Sequence, residues 1–280
     1  MESEAVRLTG AYLAPTAFMR SLDERSCNNR VLFLTLQSQN MFADEFRGKT
    51  VLISGGSSGI GYAIGRGFQA AGASVTVTGL TDAELGPARA AGLTAVTLDV
   101  GDLAACKALM AGFTQLDVLV NCAGMIRRAG AEHEPENFAA VIDVNLNGTQ
   151  RLCQLARPLL AASKGSIVNT ASMRSFFGAA VTPAYAASKG GVMQLTKSLA
   201  IAYAAEGIRV NALAPGWVKT ALTQALWSNE PSNSDVLNRT PLKRWADPVD
   251  MAGPALFLCS SAAAFITGVI LPVDGGYAVM

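Results

Sequence analysis

Apolar residues in this chain gather in short runs closed by polar or small residues. The runs are Thr50-Val-Leu-Ile-Ser54, Ser74-Val-Thr-Val-Thr78, Thr94-Ala-Val-Thr-Leu-Asp99, Asp117-Val-Leu-Val-Asn121, Gly165-Ser-Ile-Val-Asn-Thr170, Arg209-Val-Asn-Ala-Leu213 and Gly268-Val-Ile-Leu-Pro-Val273. Their Val, Ile and Thr content predicts seven strands. Stretches of helical period lie between them: from the glycines at 55–61 to about Ala71, Leu103 to about Phe113, Glu136–Ala162, the stretch through Tyr185 to about Glu206, and Pro248–Ser260. Strands rich in Val, Leu and Ile that alternate with helices predict a parallel sheet covered on both faces. The expected fold is therefore α/β, a doubly wound seven-stranded parallel sheet in a single domain.

Two segments fall outside this pattern. Residues 1–40 mix Arg, Ser, Asn and Gln with one short apolar run, Val31-Leu-Phe-Leu34. Glu2 and Glu4 stand where a secretory signal needs a basic start, so that reading is rejected. We read 1–40 as a poorly ordered extension ahead of a domain at 41–280. The second segment, about Ala214–Asp247, shows no clear helix or strand and carries Trp217, Trp227 and Trp245. Loops of this length are often binding loops, and this one is the expected substrate loop.

Composition narrows the class. The chain has 280 residues, half of them hydrophobic, enough for a large core, and a formal net charge of +1. Neither that charge nor any basic run predicts nucleic-acid binding. No apolar run approaches the ~18 residues of a membrane span. The five cysteines are odd in number and widely spaced, which fits reduced, mostly buried thiols in a cytoplasmic protein. The single histidine, His133, excludes a His-rich metal cluster, and no metal is expected. His133 lies in the polar segment Ala131-Glu-His-Glu-Pro135 and is read as a solvated loop residue.

The candidate chemistry sits at two places. Gly55-x3-Gly59-x-Gly61 joins the first strand to the first helix. Glycines there let the backbone turn tightly and approach a pyrophosphate at a helix N-terminus, as in Rossmann-like folds. Further on, Thr182-Pro-Ala-Tyr-Ala-Ala-Ser-Lys-Gly190 places Pro183 in a first helical turn and Tyr185 and Lys189 on one face. Lowering a phenol's pKa from about 10 to about 7 takes roughly 4 kcal/mol. One positive charge about 4 Å away supplies roughly that at an effective dielectric of ~20. The pair suffices for proton transfer, although an exposed Tyr/Lys helix pair has the same spacing.

Together, Ser54-Gly-Gly-Ser-Ser-Gly-Ile-Gly61, Asn121-Cys-Ala-Gly124, Asn145, Ser172, Tyr185-x3-Lys189, Pro215-Gly216 and Val273-Asp-Gly-Gly276 resemble the short-chain dehydrogenase/reductase family over about residues 48–280. Ser54 stands where Thr is more usual, and Cys122 where Asn is commoner. The resemblance implies hydride transfer between a nicotinamide cofactor and the CH–OH or C=O group of a small substrate. In it Tyr185 is the acid–base residue, Ser172 holds the same oxygen, Lys189 tunes the phenol and binds ribose, and Asn145 holds a water on a proton path. The implied cofactor contacts are Gly55, Ser57, Ser58, Gly59, Ile60, Gly61, Asp99, Val100, Asn121, Ala123, Gly124, Tyr185, Lys189, Pro215, Gly216, Val218 and Thr220. Of these, Asn121 reads more readily as a strand-tying residue.

The cofactor is NAD or NADP. Gly79 occupies the position where an acidic residue marks NAD, but Leu80 replaces a common arginine and Asp82 would repel a 2′-phosphate, which tilts the reading to NAD. Gly124-Met-Ile-Arg-Arg128, Ala171-Ser-Met-Arg-Ser175 and the segment 239–248 resemble the sugar-acid branch, the gluconate 5-dehydrogenases and 2-dehydro-3-deoxy-D-gluconate 5-dehydrogenases. Arg127, Arg128, Arg174 and Trp217 are the implied substrate contacts, with Arg127 and Arg128 equally readable as surface residues. Alternatives are an NADPH-dependent 3-oxoacyl or other ketone reductase, and a non-catalytic nicotinamide-binding regulator. Family analogy implies a homo-oligomer, a tetramer.

Overall fold

The computed structural model describes residues 42–280; the expected extension at 1–40 lies outside the described residues. Seven strands form one parallel sheet: β1 Thr50–Ser54, β2 Ser74–Gly79, β3 Thr94–Thr97, β4 Val118–Asn121, β5 Ser166–Thr170, β6 Arg209–Pro215 and β7 Ile270–Val273. Their spatial order is β3-β2-β1-β4-β5-β6-β7, so the winding reverses between β1 and β4. The helices between them are α1 Gly59–Ala70, α2 Gly86–Ala90, α3 Leu103–Ala111, α4 Pro135–Ile142, α5 Gly148–Ser163, α6 Pro183–Tyr203, α7 Gln224–Trp227, α8 Glu230–Arg239 and α9 Ala252–Cys259.

Alternation along the strands divides the core in two. Val51 and Ile53 of β1 point to one face, where they join Ile64 and Phe68 of α1 and Ala255 and Leu256 of α9. Leu52, between them, points to the other face and joins Leu152 and Leu160 of α5. Both faces are thus dry, which is why these strands read as continuous apolar runs. Where α6 meets β6 the packing residues are small: Ala171, Val192, Ala212 and Ala214. They let the helix bearing Tyr185 lie close to the sheet.

The structure departs from the expected elements in two places that matter. The helix expected over Glu136–Ala162 is interrupted by a wide π turn at Asp143–Asn147. Such turns recur at functional sites because they rotate one side chain off the helical face; here Asn145 is buried within it. The loop expected over Ala214–Asp247 contains α7 and α8. Asn229 caps α8 by accepting the Ser232 N–H at 3.2 Å, and Pro231 lies in its first turn. Only Val236 of α8 is buried, so no apolar stripe announces the helix.

Candidate active site

The crevice lies at the switch point between the carboxyl ends of β1 and β4, where open α/β sheets bind ligands. The loop after β1 is shaped by what it approaches. Gly55 has φ +66°, and a Cβ there would stand 2.6 Å from the Ala123 backbone. A Cβ on Gly61 would stand 2.4 Å from the Gly55 carbonyl oxygen. Neither site admits a side chain, so bare backbone faces the crevice. Ser58, the N-cap of α1, makes no side-chain capping bond among the described residues, leaving the first-turn N–H groups directed outward. Thr220, beyond β6, closes on the same loop: its Cγ2 would lie 3.3 Å from a Cβ on Gly59. A glycine cradle with an uncapped helix N-terminus fits a dinucleotide pyrophosphate. A nicotinamide held there supplies the hydride acceptor or donor.

The other expected cofactor residues are placed as follows. Ser57 and Ile60 lie in the loop and the start of α1, and Gly216 donates its N–H to Val273 O at 3.1 Å beside Pro215. Val218 is buried. The Ala123 N–H reaches Ser54 Oγ at 3.4 Å. Asp99 Oδ1 accepts the Gly101 N–H at 2.8 Å, while Asp102 caps α3 through Ala104 and Ala105. Val100 is buried, and its carbonyl accepts from Arg151 at 3.1 Å. Asn121 is buried and donates to Asn169 Oδ1 at 2.9 Å, tying β4 to β5. Its side chain is therefore a strand tie and not a crevice-lining group.

The proton-handling residues assemble at the end of β5. Lys189 Nζ donates to the Thr170 carbonyl at 2.6 Å, and a Cβ on Gly124 would lie 3.8 Å from that nitrogen. Ser172 opens a tight turn, accepting the Arg174 N–H at 3.1 Å while its own N–H reaches Ser175 Oγ at 3.2 Å. Ser175 Oγ then donates to the Lys189 carbonyl at 2.7 Å, which stitches the turn to α6. Asn145 accepts the Met125 N–H at 2.8 Å and donates to Met125 O and Ser188 Oγ, both at 3.0 Å. Its side-chain amide is a strut between the loop after β4 and α6, with both N–H donors engaged.

Electrostatics refine the expected Tyr185–Lys189 pair. Lys189 Nζ stands 5.7 Å from the Tyr185 ring centroid. Burial lowers the Lys189 ammonium from 10.5 to about 8. Burial also pushes the Tyr185 phenol above its ordinary value, opposed by the Ser172 hydroxyl and by the charges of Arg174 and Arg128; Glu132 adds to the rise. The groups that favour phenolate here are thus Ser172 and two arginines. Lys189 Nζ is directed to the Thr170 carbonyl rather than hydrogen-bonded to the phenol.

The same observation separates the expected substrate residues. Arg174 and Arg128 both act on the phenol; Arg127 has an exposed side chain and joins the site through its backbone. Arg174 donates to Gly178 O at 2.9 Å and lies over the Trp217 ring, 5.9 Å from its centroid. Arg128 donates to the Leu222 carbonyl and so ties the segment before α7 to the loop after β4. His133 is exposed, as expected of a solvated loop residue, but its neighbour Glu132, at 0% exposure, accepts the N–H groups of Arg127 and Tyr185. Nothing in its neighbours along the chain signals this, because Tyr185 lies 53 residues away.

A glycine cradle at the switch point, with a serine, a tyrosine and a lysine converging beside it, defines a Rossmann-type nicotinamide-dependent dehydrogenase. A family model described as enoyl-(acyl carrier protein) reductase matches residues 55–278. The chain is 42% identical over 245 residues to the 2-dehydro-3-deoxy-D-gluconate 5-dehydrogenase of Bacillus subtilis, covering 84% of this chain and 96% of that one. It is 36% identical to the D-threitol dehydrogenase of Mycolicibacterium smegmatis, covering 87% and 99%. A gluconate 5-dehydrogenase from Burkholderia cenocepacia, solved with NADP and tartrate, superposes with a TM-score of 0.79 at 32% identity, covering 87% and 99%. This chain belongs to the short-chain dehydrogenase/reductase family and is an NAD(P)-dependent oxidoreductase acting on CH–OH groups. Among the described residues, no helix is long and apolar enough to cross a membrane.

Proposed function

We propose that this enzyme interconverts a secondary alcohol and a ketone on a sugar acid, using Tyr185 as the proton-transferring residue. The Tyr185 hydroxyl gives its proton to the substrate oxygen in reduction and takes it back in oxidation. Ser172 hydrogen-bonds the same oxygen. Lys189 is held beside the crevice by Thr170, and Asn145 fixes the loop after β4 against α6. Gly55, Gly59, Gly61 and the α1 N-terminus would hold the pyrophosphate, and Thr220, packed against Gly59, would hold the nicotinamide carboxamide.

The observation that carries the sugar-acid reading is that two guanidinium groups stand by the site, Arg128 on the Leu222 carbonyl and Arg174 over the Trp217 ring, 5.9 Å from its centroid, and both favour the ionised phenol of Tyr185. Each has donors beyond those already used on Leu222 and Gly178, and a guanidinium matches a carboxylate in planar, bidentate fashion. The Bacillus relative is named for a sugar acid, and tartrate, a hydroxy dicarboxylate, lies in the Burkholderia structure. A charge-assisted hydrogen bond is worth about 1.5–3 kcal/mol. Arg174→Ala and Arg128→Ala should therefore each raise KM for gluconate-type acids about 10- to 100-fold. Turnover of a neutral polyol such as threitol should change far less. Equal effects on acid and polyol would remove the carboxylate role.

The cofactor reading favours NAD. A Cβ on Gly79 would stand 2.8 Å from Ser57 Cβ, so the end of β2 stays without a side chain. Leu80 follows, 58% exposed, and Arg89 beyond it is paired with Asp82 at 2.7 Å. A 2′-phosphate would have to draw Arg89 away from Asp82 or stand beside that carboxylate. The expected result is a higher kcat/KM with NAD than with NADP on one substrate. The reverse ratio, in line with the NADP of the Burkholderia structure, would overturn the preference and leave the reaction class intact.

A further inference from the structure

Glu132 lies in a short turn, Ala131–His133, between β4 and α4, where the neighbouring charges His133, Glu134 and Glu136 predict a solvated surface. It is instead fully buried. A carboxylate taken out of water must be compensated. Among the described residues no Lys or Arg pairs with Glu132; its compensation is two backbone N–H groups. Oε1 accepts from Arg127 at 2.9 Å and Oε2 from Tyr185 at 2.8 Å.

The Tyr185 bond has a specific geometric meaning. Tyr185 is the third residue of α6, after Pro183 and Ala184. Its N–H is one of those that helix geometry leaves without an intrahelical partner. Thr182, the N-cap, supplies no side-chain bond among the described residues. Glu132 therefore caps this helix from another element, and its charge is placed where the helix dipole favours an anion. Its other oxygen fixes the backbone immediately before Arg128.

We infer that Glu132 is a positioning residue: a buried strut that sets the distance between the substrate-binding arginine loop and Tyr185, and keeps a fixed negative charge beside the phenol. A glutamine of the same shape would accept one N–H but turn its own amide donors on the other. An aspartate would keep the charge but lacks the length to reach both N–H groups. Among the described residues, the charges facing the phenol are Arg128 from the loop after β4, Arg174 from the turn after β5, Lys189 from α6, and Glu132. His133 turns away, with Nε2 on the Ala180 carbonyl at 2.9 Å.

The inference rests on the proposed role of Tyr185, and its test separates the two. Full-length E132Q and E132D are compared with the wild type for nicotinamide dinucleotide binding, KM and the pH profile of alcohol oxidation, on both a sugar acid and a neutral polyol. Both variants should bind the dinucleotide as the wild type does. E132Q, having lost a negative charge near the phenol, should move the profile toward lower pH. E132D should leave the profile in place. Both should raise KM for the acid several-fold. An unmoved profile in E132Q, or a pH-independent loss of rate with KM unchanged in both variants, overturns the inference. If E132Q does not fold, E132D decides by the same KM comparison, and an unchanged KM counts against the strut. If the polyol is preferred to the acid, the sugar-acid reading falls, while the profile shift still reports on Glu132.

Discussion

Replacing Tyr185 with Phe should lower kcat by about 10²- to 10⁴-fold, the range in which a positioned proton donor contributes. The substitution removes one oxygen and keeps the ring, so the fold should persist. Dinucleotide binding should persist too, because the cradle of Gly55, Gly61 and the α1 N-terminus is built from other elements. The pH behaviour sharpens the test. Oxidation needs the phenolate as proton acceptor, and burial raises the Tyr185 pKa above its usual value. The wild-type oxidation rate should therefore climb with pH across the neutral and mildly alkaline range, whereas residual activity in the variant should not follow that climb. Reduction needs the neutral phenol and should fall off only at alkaline pH. Stopped-flow absorbance of the reduced nicotinamide gives both directions. A variant that keeps more than about a tenth of wild-type turnover would remove Tyr185 from the proton transfer.

The parts of this molecule legible from sequence are those whose cause is local. β1, β4 and β5 declare themselves because both faces are buried and nearly every position is apolar or small, the buried Asn121 and Asn169 being tied to each other. The glycine loop is legible because Gly55 and Gly61 have no alternative at their contact distances. Tyr185 and Lys189 are legible because one helix fixes their spacing. What escapes has a distant cause. The π turn at Asp143–Asn147 continues the apolar period of α4, and its reason is Asn145 reaching Met125 and Ser188. Helix α8 is held by one buried valine and an asparagine cap, with a side chain of its own, Asn233, accepting from Trp245 at 2.8 Å. Glu132 is the extreme case: its residue type and neighbours both predict water, and its two partners are known only once α6 is folded against the loop after β4.

Lys189→Met should separate catalysis from stability, because the same burial that places the ammonium also costs the fold. The Lys189 pKa is about 8 in the folded chain against an ordinary 10.5. Between those values the unfolded chain binds a proton that the folded chain does not, so stability rises as pH rises from about 8 toward 10.5. Below about 8 the full penalty applies, on the order of 3 kcal/mol at ~1.36 kcal/mol per unit. Methionine removes that penalty but leaves the Thr170 carbonyl without its donor, a loss of about 1–3 kcal/mol. At neutral pH the two effects roughly cancel, and the variant should be about as stable as the wild type. The diagnostic is the slope. From about pH 8 to pH 9 the wild type should gain on the variant by about 1 kcal/mol, read as a difference in urea midpoints. The buried thiols Cys153 and Cys259, pushed up to about 12 and about 11, weaken both proteins alike as pH rises past the ordinary thiol value and drop out of the difference, whereas Cys122, pushed up to about 11, feels the Lys189 charge and adds to the difference only above about pH 9. Turnover of the variant should fall by about 10²-fold or more, since α6 then presents no cation to the crevice. Parallel stability curves across that pH window would mean that Lys189 titrates near its ordinary value, and the dry, Thr170-bound ammonium would then be the wrong description of this site.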